Sequence, residues 1–200
     1  MNYQVDLRNK VNDQIIKALA QGLTPWRRPD QCDGVERFQV QPGNSDGVVD
    51  YEPAEKVIIS TGWDIRHIRG DEAAYHRPPL DFIVLPPKEQ FVNGPFGMAG
   101  YYGTAFHELM HASESRLGWT GSYALGELRA ELGSCYLAAE VGIPTPEGLE
   151  NHARYLDHWI REMGADSRVI FQIASAASKG ADLVLSFSRQ PEPEEEQVPV

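Results

Sequence analysis

The stretch AFHELMHASESRLG, residues 105–118, places two histidines four residues apart, with a glutamate directly after the first. An α-helix turns by about 100° per residue, so His107 and His111 lie on one side of it, one turn apart. The apolar residues of this segment fall on the opposite arc: Tyr102, Ala105, Phe106, Leu109, Met110 and Leu117. The pattern predicts a helix that buries its apolar face and turns both imidazoles toward the element packed across from them.

Two imidazoles one turn apart are the usual start of a zinc site of the HExxH type. Glu108 is rotated by about 100° from His107, too far round to ligate easily but near enough to accept a proton from a metal-bound water. We therefore predict that His107 and His111 bind Zn²⁺ and that Glu108 is the general base. The alternative is a surface helix that carries two solvated histidines.

The segment ELRAE, residues 127–131, follows His111 and places two carboxylates four residues apart on one helical face. It resembles the ligand helix of the glutamate zincins (gluzincins). That resemblance implies that Glu127 is the third zinc ligand and that Glu131 accepts a ring N–H from a ligand histidine. The reverse assignment of the two glutamates stays open, as does an ordinary exposed carboxylate pair.

Composition limits the classes of protein and of partner. Of the 200 residues, 42% are hydrophobic, which is enough for a core. The formal net charge of -11 excludes a protein-wide attraction to nucleic acid. The two cysteines, Cys32 and Cys135, predict no disulfide framework. With no signal-peptide core and no membrane-length apolar run, we expect a cytoplasmic protein without a membrane partner.

The chain divides by composition into four segments. Residues 1–30 contain an amphipathic helix followed by TPWRRP, and residues 31–50 have the composition of a linker. Residues 51–187 carry the patterned elements and the candidate zinc site, whereas residues 188–200 have the acidic composition of a disordered tail. We therefore predict one main domain with short appendages.

Within the main domain, strands are predicted first and helices afterwards. The runs KVIIST (56–61) and DFIVL (81–85) have strand composition, and the second closes a hairpin that turns at residues 77–80. After the histidine helix, further helices are predicted over residues 123–142, 147–164 and 167–185. This order predicts an α+β fold with a small, mostly antiparallel sheet, whose DFIVL strand is the edge that pairs with an extended peptide.

From residue 50 to 186 the segments resemble, in order, the zincin-like metallopeptidase domain of ArdC-type antirestriction proteins. The segments that carry the resemblance are DYEPAEKVIISTGW, YYGTAFHELMHASESRLG, YALGELRAELGSCYLAAEVGI and NHARYLDHWI. VNDQIIKALAQGLTPWRRP, near the N-terminus, resembles the opening of that family's single-stranded-DNA-binding domain, here much shortened. The resemblance implies a zincin-like fold and a Zn²⁺ cofactor.

Further residues are weaker candidates for catalysis or nucleic-acid binding, and each also has a simpler structural interpretation. His152, within a segment that matches a family motif, is a candidate to stabilise the oxyanion of a tetrahedral intermediate, and Tyr123 is a second one. For His152 the simpler reading is a local hydrogen bond at a helix start. Trp26, Arg27 and Arg28 form an aromatic and cationic group that can stack a base and neutralise phosphate, or simply a packed tryptophan beside solvated arginines.

These features predict a zinc-dependent metallopeptidase whose substrate is a peptide or protein, with Glu108 assisting a zinc-bound water. The rival prediction is an antirestriction protein of mobile elements that associates weakly with single-stranded DNA and has a mainly structural or inactive zinc site. The acidic charge and the shortened N-terminal segment argue against strong DNA binding.

Overall fold

The computed structural model describes residues 3–20, 48–69, 74–77, 80–94, 96–143 and 169–189. In these ranges the chain forms five α-helices and three strands, and the predicted α+β class is confirmed. A short 3-10 helix, Lys88–Gln90, lies between the last strand and the histidine helix. The main elements are α1 (Tyr3–Ala20), α2 (Glu52–Ser60), β1 (Asp64–His67), β2 (Tyr75–Arg77), β3 (Phe82–Leu85), α3 (Gly97–Arg116), α4 (Tyr123–Val141) and α5 (Val169–Ser188).

The sheet is mixed, with strand order β1-β3-β2. β1 pairs parallel with β3, and β2 pairs antiparallel with it, so the sheet is not mostly antiparallel. The sequence of β1, DIRH, gave no strand signal because three of its four residues are exposed and two are charged. β3 therefore lies in the middle of the sheet, and the prediction that DFIVL is a free edge for a peptide is wrong.

The predicted hairpin is confirmed, and it is fastened to α3. β2 and β3 are joined through Asp81, whose φ of 51° is a left-handed conformation that aspartate tolerates. Arg116, at the end of α3, donates to both carboxylate oxygens of Asp81, at 3.0 and 2.7 Å. His76 lies 3.3 Å from the same carboxylate. These contacts fix the hairpin beside the C-terminal end of the histidine helix.

The strand predicted for KVIIST is wrong, because these residues belong to α2. The β-branched run Val-Ile-Ile suggested a strand, but Pro53 occupies the first turn, where a helix accepts proline. Ala54, Val57 and Ile58 are spaced as one helical face and are all buried. Packing of that face against α3 and α5 overrides the strand preference of the individual side chains.

The predicted helices around the candidate site are confirmed within a few residues. α3 packs on α4, and α5 packs on both. The apolar arc predicted for α3 is fully buried from Tyr102 to Met110, but Leu117 follows the helix and is 42% exposed. α4 ends where Gly142 adopts a left-handed conformation with φ 74°, which favours glycine. Cys135 is a buried core residue on α4.

α1 belongs to the same core, since its buried Val11 and Ile15 pack within it and the helix contacts α4 and α5. The Tyr136 hydroxyl donates to the Asn12 side chain at 2.7 Å. Within the described ranges, no helix has the length and apolar character to cross a membrane. Several predicted segments lie outside the described residues: TPWRRP, most of the linker, the 147–164 helix and most of the tail.

Candidate metal centre

The two histidines of α3 are brought together as the helical phase predicts. Their Nε2 atoms lie 3.1 Å apart, and the two rings meet edge to face with centroids separated by 4.8 Å. The opposite side of α3 is rigidly packed, because Phe106, Leu109 and Met110 are fully buried. The backbone that carries the imidazoles therefore has little freedom to rotate them away from each other.

Each imidazole has its own carboxylate partner at Nδ1. His107 Nδ1 lies 3.0 Å from Glu131 Oε2, and His111 Nδ1 lies 3.1 Å from Glu114 Oε1. An ionised carboxylate only accepts hydrogen bonds, so in each ring Nδ1 carries the proton and donates it. In the neutral form of both rings, the Nε2 lone pairs then face each other, the tautomer that a metal site requires.

Glu127, on α4, completes the group from across the helix pair. Its Oε2 lies 3.5 Å from His107 Nε2, and its Oε1 lies 3.6 Å from His111 Nε2. Ligand atoms at tetrahedral angles around Zn²⁺, with bonds of 2.0–2.1 Å, are separated by roughly 3.3 Å. Each Nε2 thus has a Glu127 oxygen at close to that separation, and one donor atom from each of the three residues lies within 4.8 Å of the others, so the residues fit a metal ion. We call His107, His111 and Glu127 the α3–α4 cluster.

The two glutamates of ELRAE take different positions. Glu127 faces both Nε2 atoms, whereas Glu131 contacts the far nitrogen of the His107 ring. This geometry favours Glu127 over Glu131 as the third donor of the α3–α4 cluster. Both carboxylates are buried, so the two residues are not the ordinary exposed pair that the sequence also allowed.

The electrostatics of the cluster favour a cation between the side chains. Burial lowers the pKa of His107, but hydrogen bonds to Glu127 and Glu131 outweigh it and raise that pKa to about 10. Burial raises the pKa of Glu127, but its contacts with His107 and His111 outweigh it and lower that pKa to about 2. The carboxylates thus hold a negative potential at the Nε2 atoms, which attracts a proton or a metal ion alike.

Glu108 is buried on α3, and only 6% of the residue is exposed. Its charge is close enough to raise the pKa of His107. Glu108 is not one of the three residues whose donor atoms converge. The sequence predicted this, since it placed Glu108 beside the ligands as a base. Helical phase places it next to the imidazole side of α3, beside the cluster rather than within it.

The remaining predicted site residues are only partly described. Tyr123, 70% exposed at the start of α4, hydrogen-bonds to Glu127 and helps to lower the pKa of that carboxylate. His152, Trp26, Arg27 and Arg28 lie outside the described residues, so the catalytic and nucleic-acid roles predicted for them stay predictions.

Glu114 contacts a site histidine but is not among the site residues predicted from the sequence. It lies three residues after His111, a spacing that brings side chains together on one helical face. That spacing was a usable signal, but three-residue pairs of histidine and glutamate are common on surface helices. Only the position of the ring relative to α4 shows that Glu114 contacts the nitrogen facing away from the cluster.

Comparisons with known proteins identify the family of the chain. The model of the family described as Zincin-like metallopeptidase matches residues 52–176. The chain is 37% identical over 155 residues to the DNA primase TraC of Escherichia coli, covering 70% of this chain and 13% of that protein. It is 34% identical over 141 residues to y4eC of Sinorhizobium fredii, covering 66% of this chain and 43% of that protein.

Solved structures point the same way. The antirestriction protein ArdC from plasmid R388, crystallised with Mn(II), matches with a TM-score of 0.56 and 33% identity, over 73% of this chain and 55% of that one. Its metal-free form matches with a TM-score of 0.54 and 34% identity, over 74% of this chain and 54% of that one. This chain thus spans about half of ArdC and a small part of TraC. It belongs to the zincin-like metallopeptidase family and is similar to the ArdC-type antirestriction proteins.

Proposed function

We propose that this protein is a zinc-dependent metallopeptidase whose substrate is a peptide or protein. The observation that supports the proposal is the convergence of two imidazole Nε2 atoms and a buried carboxylate at 3.1–3.6 Å. Two nitrogens and one carboxylate oxygen, with a fourth position left for water, form the ligand set of a catalytic rather than a structural zinc. The similar ArdC structure is Mn(II)-bound, which supports a divalent ion in this chain as well.

His107, His111 and Glu127 would hold the ion, and Glu131 would keep the His107 ring in its donor tautomer. When bound, Zn²⁺ supplies Lewis-acid polarisation of a substrate carbonyl and a lowered pKa for a coordinated water. Glu108 accepts the proton of the attacking water on its carboxylate and delivers it to the amine that leaves. Burial of Glu108 limits competition from bulk water for that proton.

The ligand assignment is tested by the zinc content of the purified protein. We expect one bound zinc in the wild type and loss of zinc in His107→Ala and Glu127→Ala. Glu52→Gln removes one carboxylate from an exposed position on α2 and is the matched control for net charge. Unchanged zinc content in both ligand variants would show that the assignment is wrong.

The catalytic assignment is tested with Glu108→Gln, which keeps the shape of the side chain and removes its basicity. We expect full zinc content and hydrolysis of a quenched fluorescent peptide library slower by about 10²–10⁴-fold. Hydrolysis at the wild-type rate by this variant would exclude Glu108 as the base. Wild-type protein that binds zinc and cleaves no member of the library would argue against peptidase activity.

A second candidate is an antirestriction role in which the protein associates with single-stranded DNA and the zinc is structural or inactive. The similarity to ArdC and to the primase TraC favours it. The formal net charge of -11 opposes strong binding to a polyanion. A gel-shift with single-stranded DNA at low and high salt tests it, since binding through phosphates must weaken as salt rises. Free DNA at low salt would exclude this candidate.

A further inference from the structure

The His111 ring contacts a carboxylate that does not belong to the ELRAE pair, that of Glu114. Glu114 Oε1 lies 3.1 Å from His111 Nδ1, almost the same distance that separates Glu131 from His107 Nδ1. The Glu114 side chain is 27% exposed, less than an ordinary surface glutamate. The two ring nitrogens that face away from the α3–α4 cluster therefore each meet a separate carboxylate, one from α3 itself and one from α4.

Glu114 in turn forms a long ion pair with Arg129, the middle residue of ELRAE. The Arg129 side chain is 1% exposed, and its guanidinium donates to the Met110 carbonyl at 2.8 Å and to the Ser113 hydroxyl at 2.6 Å. These bonds fix its position against α3. Nη1 then lies 3.9 Å from Glu114 Oε1, the same oxygen that accepts from His111.

The space for this carboxylate is provided by Gly126. A side-chain carbon at position 126 would lie 3.2 Å from Glu114 Oε1 and 3.7 Å from Trp119 Nε1. A glycine inside a helix costs about 1 kcal/mol relative to alanine, so its presence in the first turn of α4 calls for a packing reason. Close approach of the Glu114 carboxylate to the α4 backbone is such a reason.

We propose that Glu114 is a positioning residue for His111, held by Arg129 and accommodated by Gly126. ELRAE then supports both histidines, directly through Glu131 at His107 and indirectly through Arg129 and Glu114 at His111. Carboxylates that hold metal-binding imidazoles fix the tautomer and the ring orientation, and their loss typically weakens metal binding. This inference rests on the proposed function, because it concerns the same three ligands.

Zinc affinity of the full chain, measured by competition with a chromophoric chelator, gives the first test. We expect Glu114→Ala to bind zinc about 10–100-fold more weakly than the wild type, as is typical for partners of ligand histidines. Glu114→Gln should lose less, because the amide oxygen still accepts the Nδ1 proton but carries no charge. Glu52→Gln, exposed on α2, controls for net charge and should bind as the wild type does.

A second measurement separates positioning from a general structural effect. In Co²⁺-substituted protein, each metal-bound imidazole gives one paramagnetically shifted Nδ1 proton signal, and a carboxylate partner slows the exchange of that proton with water. We expect two such signals in the wild type. Glu114→Ala should lose the His111 signal and keep the His107 signal, whereas Glu131→Ala should do the opposite. A general loss of structure would affect both signals in either variant.

The outcomes distinguish this inference from the function on which it rests. Wild-type zinc affinity in Glu114→Ala, with both proton signals intact, overturns the positioning role while the zinc site stands, provided that His107→Ala loses the metal. If the wild type binds neither zinc nor Co²⁺, both the proposed function and this inference are wrong. Weaker zinc binding with selective loss of the His111 signal supports the inference.

Discussion

The α3–α4 cluster and a second polar cluster around Lys88 both place carboxylates beside basic side chains, but they differ in burial and in the basic group. The Asp50 side chain is 51% exposed, whereas that of Glu127 is 6% exposed. In the Lys88 cluster, defined as Asp50, Glu55, Lys88 and Tyr102, the ammonium lies 2.7 Å from Asp50 and 2.5 Å from Glu55. The Tyr102 hydroxyl lies 2.7 Å from Glu55 and 3.1 Å from Asp50. In the α3–α4 cluster, Glu127 faces the imidazoles of both His107 and His111, and Glu131 beside it contacts the imidazole of His107.

This difference separates structural charge from functional charge. Lysine is a cation throughout the physiological pH range, so its ammonium compensates part of the carboxylate charge of the Lys88 cluster as soon as the chain folds. Imidazoles are cations only when protonated, and they can exchange the proton for a metal. The charge balance around the Glu127 carboxylate therefore responds to pH and to metal. Carboxylates serve folding in the Lys88 cluster and a candidate active site in the α3–α4 cluster.

The largest expected effect is the pH dependence of the metal-free protein. A His107 pKa raised from 6.5 to about 10 contributes stability that is complete below pH 6.5 and is lost as the pH rises through 10. The loss should be the largest of the expected stability changes and should appear in the free energy of unfolding, measured by urea denaturation in EDTA. His107→Gln should remove it. A flat profile for the wild type between these pH values would contradict the prediction.

Zinc should stabilise the folded protein through the α3–α4 cluster and not through the Lys88 cluster. Zinc at 100 times its dissociation constant is expected to raise the free energy of unfolding by about 2.7 kcal/mol. The increase should vanish in Glu127→Ala and persist in Lys88→Met, which alters only the Lys88 cluster. Thermal denaturation with and without zinc measures it. An equal response in the two variants would remove the distinction between the clusters.

Replacement of Lys88 should lower the stability of the fold and leave metal binding unchanged. Lys88→Met leaves Asp50 and Glu55 without their ammonium, and we expect a loss of about 1–2 kcal/mol, because the side chains are partly exposed and solvent screens the charges. The loss should be the same with and without zinc. Glu55→Gln, combined with Lys88→Met, should cost less than the sum of the two single changes.

The smallest effect is expected from Gly126→Ala. The added carbon improves helix propensity but crowds Glu114, so stability should stay within about 1 kcal/mol of the wild type. Zinc affinity should fall by less than about 10-fold, the low end for partners of ligand histidines. Gly103→Ala is the matched control, since a side-chain carbon there meets no atom within 4 Å. Equal zinc affinities in both variants would show that the crowding does not reach His111.

Much of the site was readable because helical periodicity is local. The spacing of His107 and His111, and that of Glu127 and Glu131, sets the face of each pair in any α-helix. The sheet was less readable. β1 is charged and exposed, so it gave no hydrophobic pattern, and its pairing with β3 joins residues eighteen positions apart. Val57 and Ile58 entered a helix because packing, not intrinsic preference, chose their conformation.

The sequence by itself determined the two ligand-bearing helices, because their pattern depends on spacing within one segment. It also determined the α+β class and the family, because these follow from the order of several segments along the chain. Only the tertiary structure decided which glutamate faces the Nε2 atoms, and only it brought Arg129 beside Glu114 and Lys88 beside Asp50. The physical reason is that local spacing sets the direction of a side chain, whereas its partner on another element is set by how the helices pack.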